Sequence, residues 1–347
     1  MSRNKLYTNT LSQSKLRNAI TKLYKFVLPL SIRRELWHYW YTGRGYSATH
    51  TFQYAPCDLF PAKPIPFPQK QDYQERVAII IVTHNSLSYI KLTLQSILKV
   101  TEHPNYQIVI VDNGSTLDVT NYLAELYHCY PEYIIVIYNS DNRGFAAANN
   151  QGIVLATTAK LRATHIVLLN SDVIVTYGWL QSLLSALQDT KIGMVGPTTN
   201  HVGNEAFVTP TYRTLTELAR FAARHHQRHL NEKITMNMLS MYCVALRSDV
   251  IISIGLLDEQ FGMGYFEDDD YAERLHQAEY TLLCIRDIYI HHFGSATFSQ
   301  LEKSRFQSLF THNQHLFEKK WNVTWSPQHI SPNYLQKWVQ SILSKVM

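Results

Sequence analysis

Residues 76–86 read RVAIIIVTHNS, a short, largely β-branched run that ends in a polar turn. Three more runs of this kind follow along the chain, and segments with a helical spacing of apolar residues separate them. The four runs are Val77–Val82, Ile108–Val111, Ile134–Ile137 and Ile166–Leu169, and the helical segments lie near Tyr89–Leu98, Val119–Tyr127, Ala146–Ala156 and Trp179–Leu187. This alternation predicts an α/β fold with a Rossmann-like, mainly parallel central sheet flanked by helices.

Composition and charge place the chain among ordinary globular proteins. Hydrophobic residues make up 46% of its 347 residues and charged residues 17%, which excludes a mainly disordered chain. The net charge of +5 comes from residues 1–45, where nine Lys or Arg stand against the single acid Glu35. Apolar residues recur there at helical spacing, which predicts a basic amphipathic helix. Its apolar face would lie on an anionic membrane surface or pack on the main domain or a partner, and the pattern leaves both open.

The changes in composition divide the chain into four segments. We expect a basic helical extension over residues 1–54, a proline-rich linker over 55–75, an α/β domain over 76–299 and a C-terminal helical segment over 300–347. The apolar runs are too short to span a membrane, and the first residues lack the apolar core of a signal peptide. A cytoplasmic location is therefore expected, with peripheral contact at the inner face of the plasma membrane through residues 1–45 as an addition. No aromatic-and-basic platform accompanies the extension, so no nucleic-acid partner is expected.

Polar turns follow all four predicted strands. They are Thr83–Ser86, Asp112–Ser115, Asn139–Gly144 and Asn170–Asp172. A single turn of this kind is ordinary loop chemistry. Ligands of open α/β sheets bind beyond the carboxyl ends of the strands, however, so four such turns on one edge predict a polar ligand. The turns contain no GxGxxG or GxxxxGKS/T motif, which disfavours a dinucleotide oxidoreductase and a P-loop enzyme.

An acidic cluster follows a glycine-flanked aromatic turn. Residues 261–271 read FGMGYFEDDDY, with four consecutive acids, Glu267–Asp270, at the predicted start of a helix that runs towards Ala278. A helix N-terminus accommodates one or two acids through its dipole, whereas four acids repel one another. The cluster therefore indicates a metal site, a general base or a site for a cationic partner.

Two adjacent histidines follow the next predicted strand, Thr281–Ile285. His291 and His292 open the segment HHFGSAT, residues 291–297. A neutral imidazole is a good ligand for a cation such as Mn²⁺, although a lone histidine pair is more often structural. These histidines are candidate metal ligands only if Asp172 and the acidic cluster lie close to them in the folded protein.

Taken together, these segments resemble the inverting glycosyltransferases of family 2, which have the GT-A fold. The resemblance covers roughly residues 76–299 and rests on ordered blocks, which are Ile81–Asn85, Val111–Ser115, Asn142–Phe145, Leu169–Asp172, Phe266–Tyr271 and His291–Ser295. It implies transfer of a sugar from a nucleoside-diphosphate sugar to a hydroxyl of a glycan or glycolipid acceptor, with inversion of configuration. A role in bacterial surface-polysaccharide or O-antigen synthesis is a further expectation from this resemblance.

The resemblance also implies roles for individual residues. Asp268 would be the general base, with Glu267 and Asp270 as supporting acids. Asp172 would bind a divalent cation, Mn²⁺ or Mg²⁺, together with His292 or His291. The positions that would bind the nucleotide sugar are Thr83, Asn85, Asp112, Asn113, Asn142, Gly144, Asn170 and Ser171. Asn170 stands where the family's Asp-x-Asp motif has its first acid, and a neutral ligand there weakens metal binding or makes the cation depend on donor phosphates.

Two rival hypotheses remain. A sugar nucleotidyltransferase would carry a glycine- and basic-rich phosphate loop after the first strand, and nothing like it occurs there. A catalytically silent domain that binds a nucleotide or a glycan fits the neutral Asn170, but the intact acidic cluster argues against it. Because sugars stack on aromatic faces, Trp179 and the segment Pro197–Tyr212 are expected to border the acceptor pocket, unless they pack in the core. Residues 301–325 are predicted to form helical cover without a chemical role.

Overall fold

Nine strands form one sheet in the part of the protein that the computed structural model describes, residues 75–294 and 303–326. The strands are β1 (Val77–Thr83), β2 (Tyr106–Asn113), β3 (Ile134–Asn139), β4 (His165–Asn170), β5 (Val173–Ile174), β6 (Ile192–Thr199), β7 (Lys233–Met236), β8 (Cys243–Arg247) and β9 (Thr281–His292). The helices are α1 (Leu87–Val100), α2 (Leu117–Cys129), α3 (Phe145–Thr157), α4 (Trp179–Ala186), α5 (Leu215–Arg228), α6 (Ser248–Ile254), α7 (Glu267–Gln277) and α8 (Lys303–Trp321). The predicted extension, the linker apart from Glu75, and the segment beyond residue 326 lie outside the described residues.

The sheet is mixed rather than mainly parallel. Its strand order is β3-β2-β1-β4-β8-β6-β9-β5, and β7 pairs with β9. Strands β1 to β4 are parallel to one another, as the sequence predicts. Strand β8 is antiparallel to both of its neighbours, whereas β6 and β9 are parallel. The α/β class is therefore confirmed, and the parallel Rossmann-like arrangement holds for the first four strands.

The order of the first four strands creates a switch point beside β1. From β1 the chain passes outward to β2 and β3, and it then returns to place β4 on the other side of β1. Thr83 lies opposite Asp112, and Val82 lies opposite Asn170. The polar turns that follow these strands therefore share one edge of the sheet, at the position where open α/β sheets bind their ligands.

Strand β1 is apolar from Val77 to Val82 because helices cover both of its faces. Ile79 and Ile81 pack in the layer that includes α1 and α2, whereas Ile80 packs in the layer that includes α3. All three isoleucines have 0% exposure. A Cβ added to Gly152 of α3 would lie 2.4 Å from Ile80 Cγ2, so the glycine lets the helix approach the strand closely. The continuous apolar run thus corresponds to a strand buried on both sides.

The last strand is longer than the sequence predicts. The apolar run ends at Ile285, but β9 continues to His292 through a shift in its pairing with β6. Pro197 lies opposite Ile285, and Thr198 lies opposite Tyr289, so residues 286–288 are extra on β9. A bulge of this kind lets a strand pass an irregular stretch and resume pairing. The two histidines therefore belong to the strand, where adjacent side chains point to opposite faces.

Helix α8 packs beside the start of α7. Phe317 of α8 is buried in a cluster with Phe261 and Phe266, so the helical cover predicted for this region is present. Among the helices of residues 75–294 and 303–326, none is both long enough and apolar enough to cross a membrane.

Candidate active site

Asn113 joins the loops at the ends of β2 and β3. Its Nδ2 donates to Asn142 Oδ1 at 2.8 Å and to the Gly144 carbonyl at 3.2 Å. Its Oδ1 accepts from Asn139 Nδ2 at 3.0 Å and from the Arg143 amide at 3.1 Å. Asn142 Oδ1 also accepts from the Gly144 amide at 3.0 Å. The side chains of Asn113 and Asn142 thus hold the loop that leads into α3.

Gly144 connects this loop to the segment that carries the acidic cluster. Its φ is +86°, and a Cβ at this position would lie 2.1 Å from the carbonyl oxygen of Gly262. Only a glycine permits such a close approach of two backbones in this conformation. The turn before the four acids therefore lies directly against the loop that Asn113 holds.

Two buried polar atoms at the ends of β1 and β2 have no hydrogen-bond partner within the described ranges. They are Thr83 Oγ1 and Asp112 Oδ1, and each residue is 1% exposed. A buried polar atom without a partner costs about 1–3 kcal/mol, so this pair suits hydrogen bonds to a polar ligand. Asn85 is engaged locally instead, because its Oδ1 accepts from the Thr116 amide at 2.8 Å and its own amide donates to Ser115 Oγ at 3.0 Å.

Asp172 and His292 meet at the end of β4. Asp172 Oδ1 lies 3.2 Å from His292 Nε2, and Asn170 Nδ2 lies 3.5 Å from the same nitrogen. Strand pairing fixes this approach, because Val173 of β5 lies opposite His292 of β9. The ring of Tyr242 stacks on the imidazole with ring centroids 5.1 Å apart, which limits the rotation of the histidine.

A second contact determines the tautomer of His292. Nδ1 lies 3.2 Å from the carbonyl oxygen of His201. A carbonyl oxygen only accepts, so Nδ1 carries the hydrogen and a neutral ring turns its Nε2 lone pair towards the carboxylate of Asp172. Two acceptors at this distance repel each other unless a proton or a cation lies between them. The residues present therefore fit a divalent cation held by Nε2 and a carboxylate oxygen.

The set of protein ligands is small. Within residues 75–294 and 303–326, no three His, Cys, Asp or Glu side chains form a group suited to a metal ion. Asp172 and His292 would be two ligands, and the neutral carboxamide of Asn170 is their neighbour. Ser171 is buried between them, and its carbonyl accepts from Thr93 Oγ1 at 2.8 Å. Its position makes it part of the turn that presents Asp172.

His291 lies on the other face of β9. Its Nδ1 forms a hydrogen bond of 2.7 Å with the Tyr212 hydroxyl, and the rings of Tyr212 and Phe293 pack edge-on against it. Burial, with a smaller contribution from neighbouring His292, lowers the pKa of His291 to about 3. The adjacent histidine, His292, is the one whose Nε2 lies 3.2 Å from Asp172 Oδ1.

Asp270 anchors the start of α7. It is 0% exposed and forms ion pairs with Arg274 Nε at 3.1 Å and with Lys320 Nζ at 2.6 Å. Trp321 Nε1 donates to its Oδ1 at 3.0 Å. Two cations and an indole thus surround this carboxylate, so it is compensated within the protein.

Among the other acids of the cluster, Glu267 and Asp268 are buried and Asp269 is half-buried, with less compensation of their charges. Asp268 Oδ1 accepts from the Asp269 amide at 3.0 Å, and Glu267 Oε2 has no hydrogen-bond partner among the described residues. Burial raises the pKa of Asp268 to about 6. Burial, followed by the charge of Asp268, raises the pKa of Asp269 to about 8 and that of Glu267 well above its usual value. A carboxyl group with a pKa near 6 suits general base catalysis close to neutral pH.

Two supporting residues escaped the sequence analysis. The Thr93 hydroxyl of α1 donates to the carbonyls of Ser171 and Val173, both at 2.8 Å, and accepts from the Val173 amide at 3.1 Å. Asn200 holds the backbone of His292, because its Oδ1 accepts from the amide at 2.9 Å and its Nδ2 donates to the carbonyl at 2.9 Å. In the sequence, Thr93 stands out only as a polar residue on the buried side of an apolar helix. This feature alone does not predict a contact with the Asp172 turn.

The expectation that Trp179 borders an acceptor pocket is wrong. Its ring is 0% exposed, and its Nε1 donates to Thr101 Oγ1 at 3.0 Å. Pro197 lies in β6, and Tyr212 is buried in a cluster with Phe221. These residues pack in the core because an aromatic ring suits a buried site as well as it suits a sugar.

Comparison with known proteins identifies relatives. The sequence pattern of "Glycosyl transferase family 2" matches residues 78–255, which is just over half of the chain. The pre-mycofactocin glycosyltransferase of Mycobacterium tuberculosis is 26% identical over 220 residues, covering 61% of this chain and 42% of that protein. Glycosyltransferase AglE of Haloferax volcanii is 24% identical over 232 residues, covering 67% of this chain and 71% of that protein. The O-antigen biosynthesis protein RfbC of Myxococcus xanthus is 26% identical, with 64% of this chain and 18% of that protein covered. The chain thus spans less than half of the length of two of these relatives.

Two solved structures share the fold. The mannosyltransferase PcManGT from Pyrobaculum calidifontis, in complex with GDP-Man and Mn²⁺, matches with a TM-score of 0.52 and 15% identity over 88% of this chain and 73% of that chain. GalNAc-T7 with UDP, GalNAc and Mn²⁺ matches with a TM-score of 0.52 and 16% identity over 64% of this chain and 44% of that chain. The GT-A fold predicted from the sequence is therefore confirmed.

Proposed function

The chain belongs to glycosyl transferase family 2, and on that premise we propose that it transfers a sugar from a nucleoside-diphosphate sugar to an acceptor hydroxyl with inversion. The observation that carries the proposal is the approach of Asp172 to His292, at 3.2 Å, beside the edge where the first parallel strands end. Residues from distant parts of the chain meet there in a form that suits a cation and a diphosphate.

The nucleoside would bind at the ends of β1 and β2. Thr83 Oγ1 and Asp112 Oδ1 are buried and offer hydrogen bonds to a base or a ribose. Asn85, Asn113 and Asn142 would act indirectly, because their side chains are used to hold the neighbouring loops. In this proposal Thr83 and Asp112 contact the nucleoside directly, and the three asparagines hold the loops around it.

Asp172 and His292 would hold the divalent cation, Mn²⁺ or Mg²⁺, with Asn170 beside them. When bound, the cation supplies positive charge against the leaving diphosphate. Cations of this kind take about six ligands, so two protein groups and a neutral amide leave several positions for donor phosphates. We therefore expect the metal to bind together with the nucleotide rather than before it.

Asp268 would accept the proton of the acceptor hydroxyl as the hydroxyl oxygen attacks the anomeric carbon. The bond from that carbon to the diphosphate breaks on the opposite side, so the configuration inverts. Burial raises the pKa of Asp268 to about 6, which makes the carboxylate a stronger base than an exposed aspartate and leaves it mostly ionised at neutral pH.

A glycan or glycolipid is the acceptor class that we propose. The similarity to an O-antigen biosynthesis protein of Myxococcus xanthus supports this choice. The basic residues 1–45 suit contact with an anionic lipid surface, and we place the reaction at the inner face of the plasma membrane.

A catalytically silent nucleotide-binding domain is the second candidate. The neutral Asn170 favours it, because loss of one acid weakens a cation site. The buried acids at the start of α7 favour catalysis instead, since perturbed carboxyl groups cluster where proton transfer is needed.

Release of sugar from UDP-glucose, UDP-galactose, GDP-mannose or dTDP-rhamnose by the full chain with Mn²⁺ tests the proposal. We expect release from at least one donor, and we expect Asp268→Asn to lower kcat by about 10²–10⁴-fold while donor binding persists. Asp249→Asn is the matched control, because Asp249 opens helix α6 with a side chain that is 72% exposed. Absence of release from all four donors, or full activity in Asp268→Asn, would contradict the proposed function.

A further inference from the structure

Asn313 of α8 holds the loop that precedes the acidic cluster. The residue is 1% exposed. Its Nδ2 lies 2.7 Å from the Phe261 carbonyl, 2.8 Å from the Gly264 carbonyl and 3.2 Å from the Tyr265 carbonyl. A carboxamide nitrogen has two hydrogens, so the three carbonyls share them. One side chain from the C-terminal helix thus satisfies the backbone of a loop that lies outside regular secondary structure.

This loop needs support because its backbone is strained. Gly264, Tyr265 and Phe266 have φ values of 137°, 74° and 74°. Residues other than glycine adopt this region at a cost of about 1–2 kcal/mol each. The strained residues stand immediately before Glu267, and strain of this kind persists only where surrounding contacts hold it.

The C-terminal segment also contacts two of the four acids. Trp325 Nε1 donates to Asp269 Oδ1 at 3.2 Å, and Trp321 Nε1 donates to Asp270 Oδ1 at 3.0 Å. Lys320 Nζ lies 2.6 Å from Asp270 Oδ1. Asp268, in contrast, accepts from a backbone amide of its own helix. The C-terminal segment thus bonds the two acids that follow Asp268, whereas Asp268 accepts from its own helix.

We propose that residues 303–325 form a positioning element of the active site, in which Trp325 restrains Asp269 so that Asp268 is the acid presented to the acceptor. The inference rests on the proposed function, because it takes Asp268 as the base. The Asp269 carboxyl also hydrogen-bonds the Asp268 carboxyl, and the indole N–H fixes the direction of this bond. Without the indole N–H, the Asp269 carboxyl is free to turn towards the Asp268 oxygen that the acceptor hydroxyl needs. Burial raises the pKa of Asp269 to about 8, so this group carries the proton needed for such a bond at neutral pH.

The polar contact can be separated from the packing. The Trp325 ring lies 5.1 Å from Phe266 and 5.7 Å from Phe310 between centroids, and a phenylalanine would keep much of this aromatic packing. Trp325→Phe therefore removes the N–H with little change in the apolar cluster. Trp179→Phe is the matched control, since it removes another buried indole hydrogen bond, to Thr101.

The test is sugar release by the full chain with Mn²⁺ and the best of the four donors named above. Trp325→Phe is expected to lower kcat about tenfold with donor KM unchanged, because a hydrogen bond to a positioned acid is lost and the donor site is not touched. Trp179→Phe is expected to lower Tm and to keep the kcat of the wild type below its melting range.

A kcat for Trp325→Phe equal to that of the wild type would overturn the inference while leaving the proposed function intact. An equal fall in kcat for the Trp179→Phe control would overturn it as well. If Trp325→Phe does not fold, Trp325→Met takes its place, because a flexible apolar side chain fills the site without an N–H. The same split of kcat from KM is expected, and an unchanged kcat counts against the inference. A wild-type chain that releases no sugar from any donor would overturn the proposed function and this inference together.

Discussion

Asp268 is a buried carboxyl group with two further acids, Glu267 and Asp269, beside it. Burial raises the pKa of all three, most strongly where a neighbouring charge adds to it. Stability alone disfavours such a group of acids, because each buried charge without a full partner costs free energy. Asp270 of the same helix differs from these three acids, because Arg274 and Lys320 compensate its charge.

Sugar release is expected to fall as the pH decreases through about 6. The general base acts only when ionised, and the folded-state pKa of Asp268 is raised from 3.8 to about 6, so the active form is lost below that value. The pH dependence of kcat, measured with circular dichroism at each pH to verify folding, checks this. A fall in kcat centred on the ordinary pKa of an aspartate would show that burial does not raise the pKa of Asp268.

The sequence alone does not predict which of His291 and His292 faces Asp172. Adjacent side chains of a strand point to opposite faces, but the apolar run ends at Ile285 and places both histidines beyond the predicted strand. The bulge in β9 extends the strand to His292. His292 then points to Asp172 and His291 to Tyr212, which no local pattern encodes.

Helix α1 supports the site through buried hydroxyl groups, of which Thr93 contacts the turn that carries Asp172. Thr93 bonds the backbone on both sides of Asp172, so the helix holds the turn that follows β4. The sequence predicted the helix from its apolar spacing, and the structure confirms it at Leu87–Val100. The contact of the Thr93 hydroxyl depends on how the helix packs on the sheet, and the spacing of apolar residues does not define this.

Thr93→Val is expected to destabilise the protein by about 1–3 kcal/mol, because a nearly isosteric methyl group leaves buried backbone groups without a partner. Urea unfolding of the wild type and the variant measures this difference. Thr157→Val serves as the control, since its hydroxyl bonds only carbonyls of its own helix, and a smaller effect is expected. Equal losses in the two variants would show that the Asp172 turn does not depend on Thr93.

Secondary structure was predictable where periodicity was strong. The first four strands and the helices between them differ from the prediction by only a few residues at their ends. Strand β6 was missed because Gly193, Gly196 and Pro197 are signals against a strand interior. Strands β7 and β8 are short, and their antiparallel pairing to β9 and β4 depends on partners far away in the sequence.

At the scale of the molecule, the strand order explains why the candidate site lies where it does. The switch beside β1 gathers the ends of the first parallel strands, and β9 brings His292 to the end of β4 from the other half of the sheet. The sequence predicted which turns carry polar residues. It did not predict the contact of Trp325 with Asp269, because this contact joins segments that are far apart in the sequence.

The most direct measurement is the change in Tm when UDP, GDP or dTDP is added with and without Mn²⁺. A ligand that binds the folded state raises Tm, so the wild type should shift with at least one nucleotide, and more with Mn²⁺ than without it. The variant His291→Phe should keep the Mn²⁺-dependent part of that shift, whereas His292→Phe should lose it. A wild-type Tm that none of the three nucleotides changes, with or without Mn²⁺, would contradict a nucleotide-sugar site at this edge of the sheet.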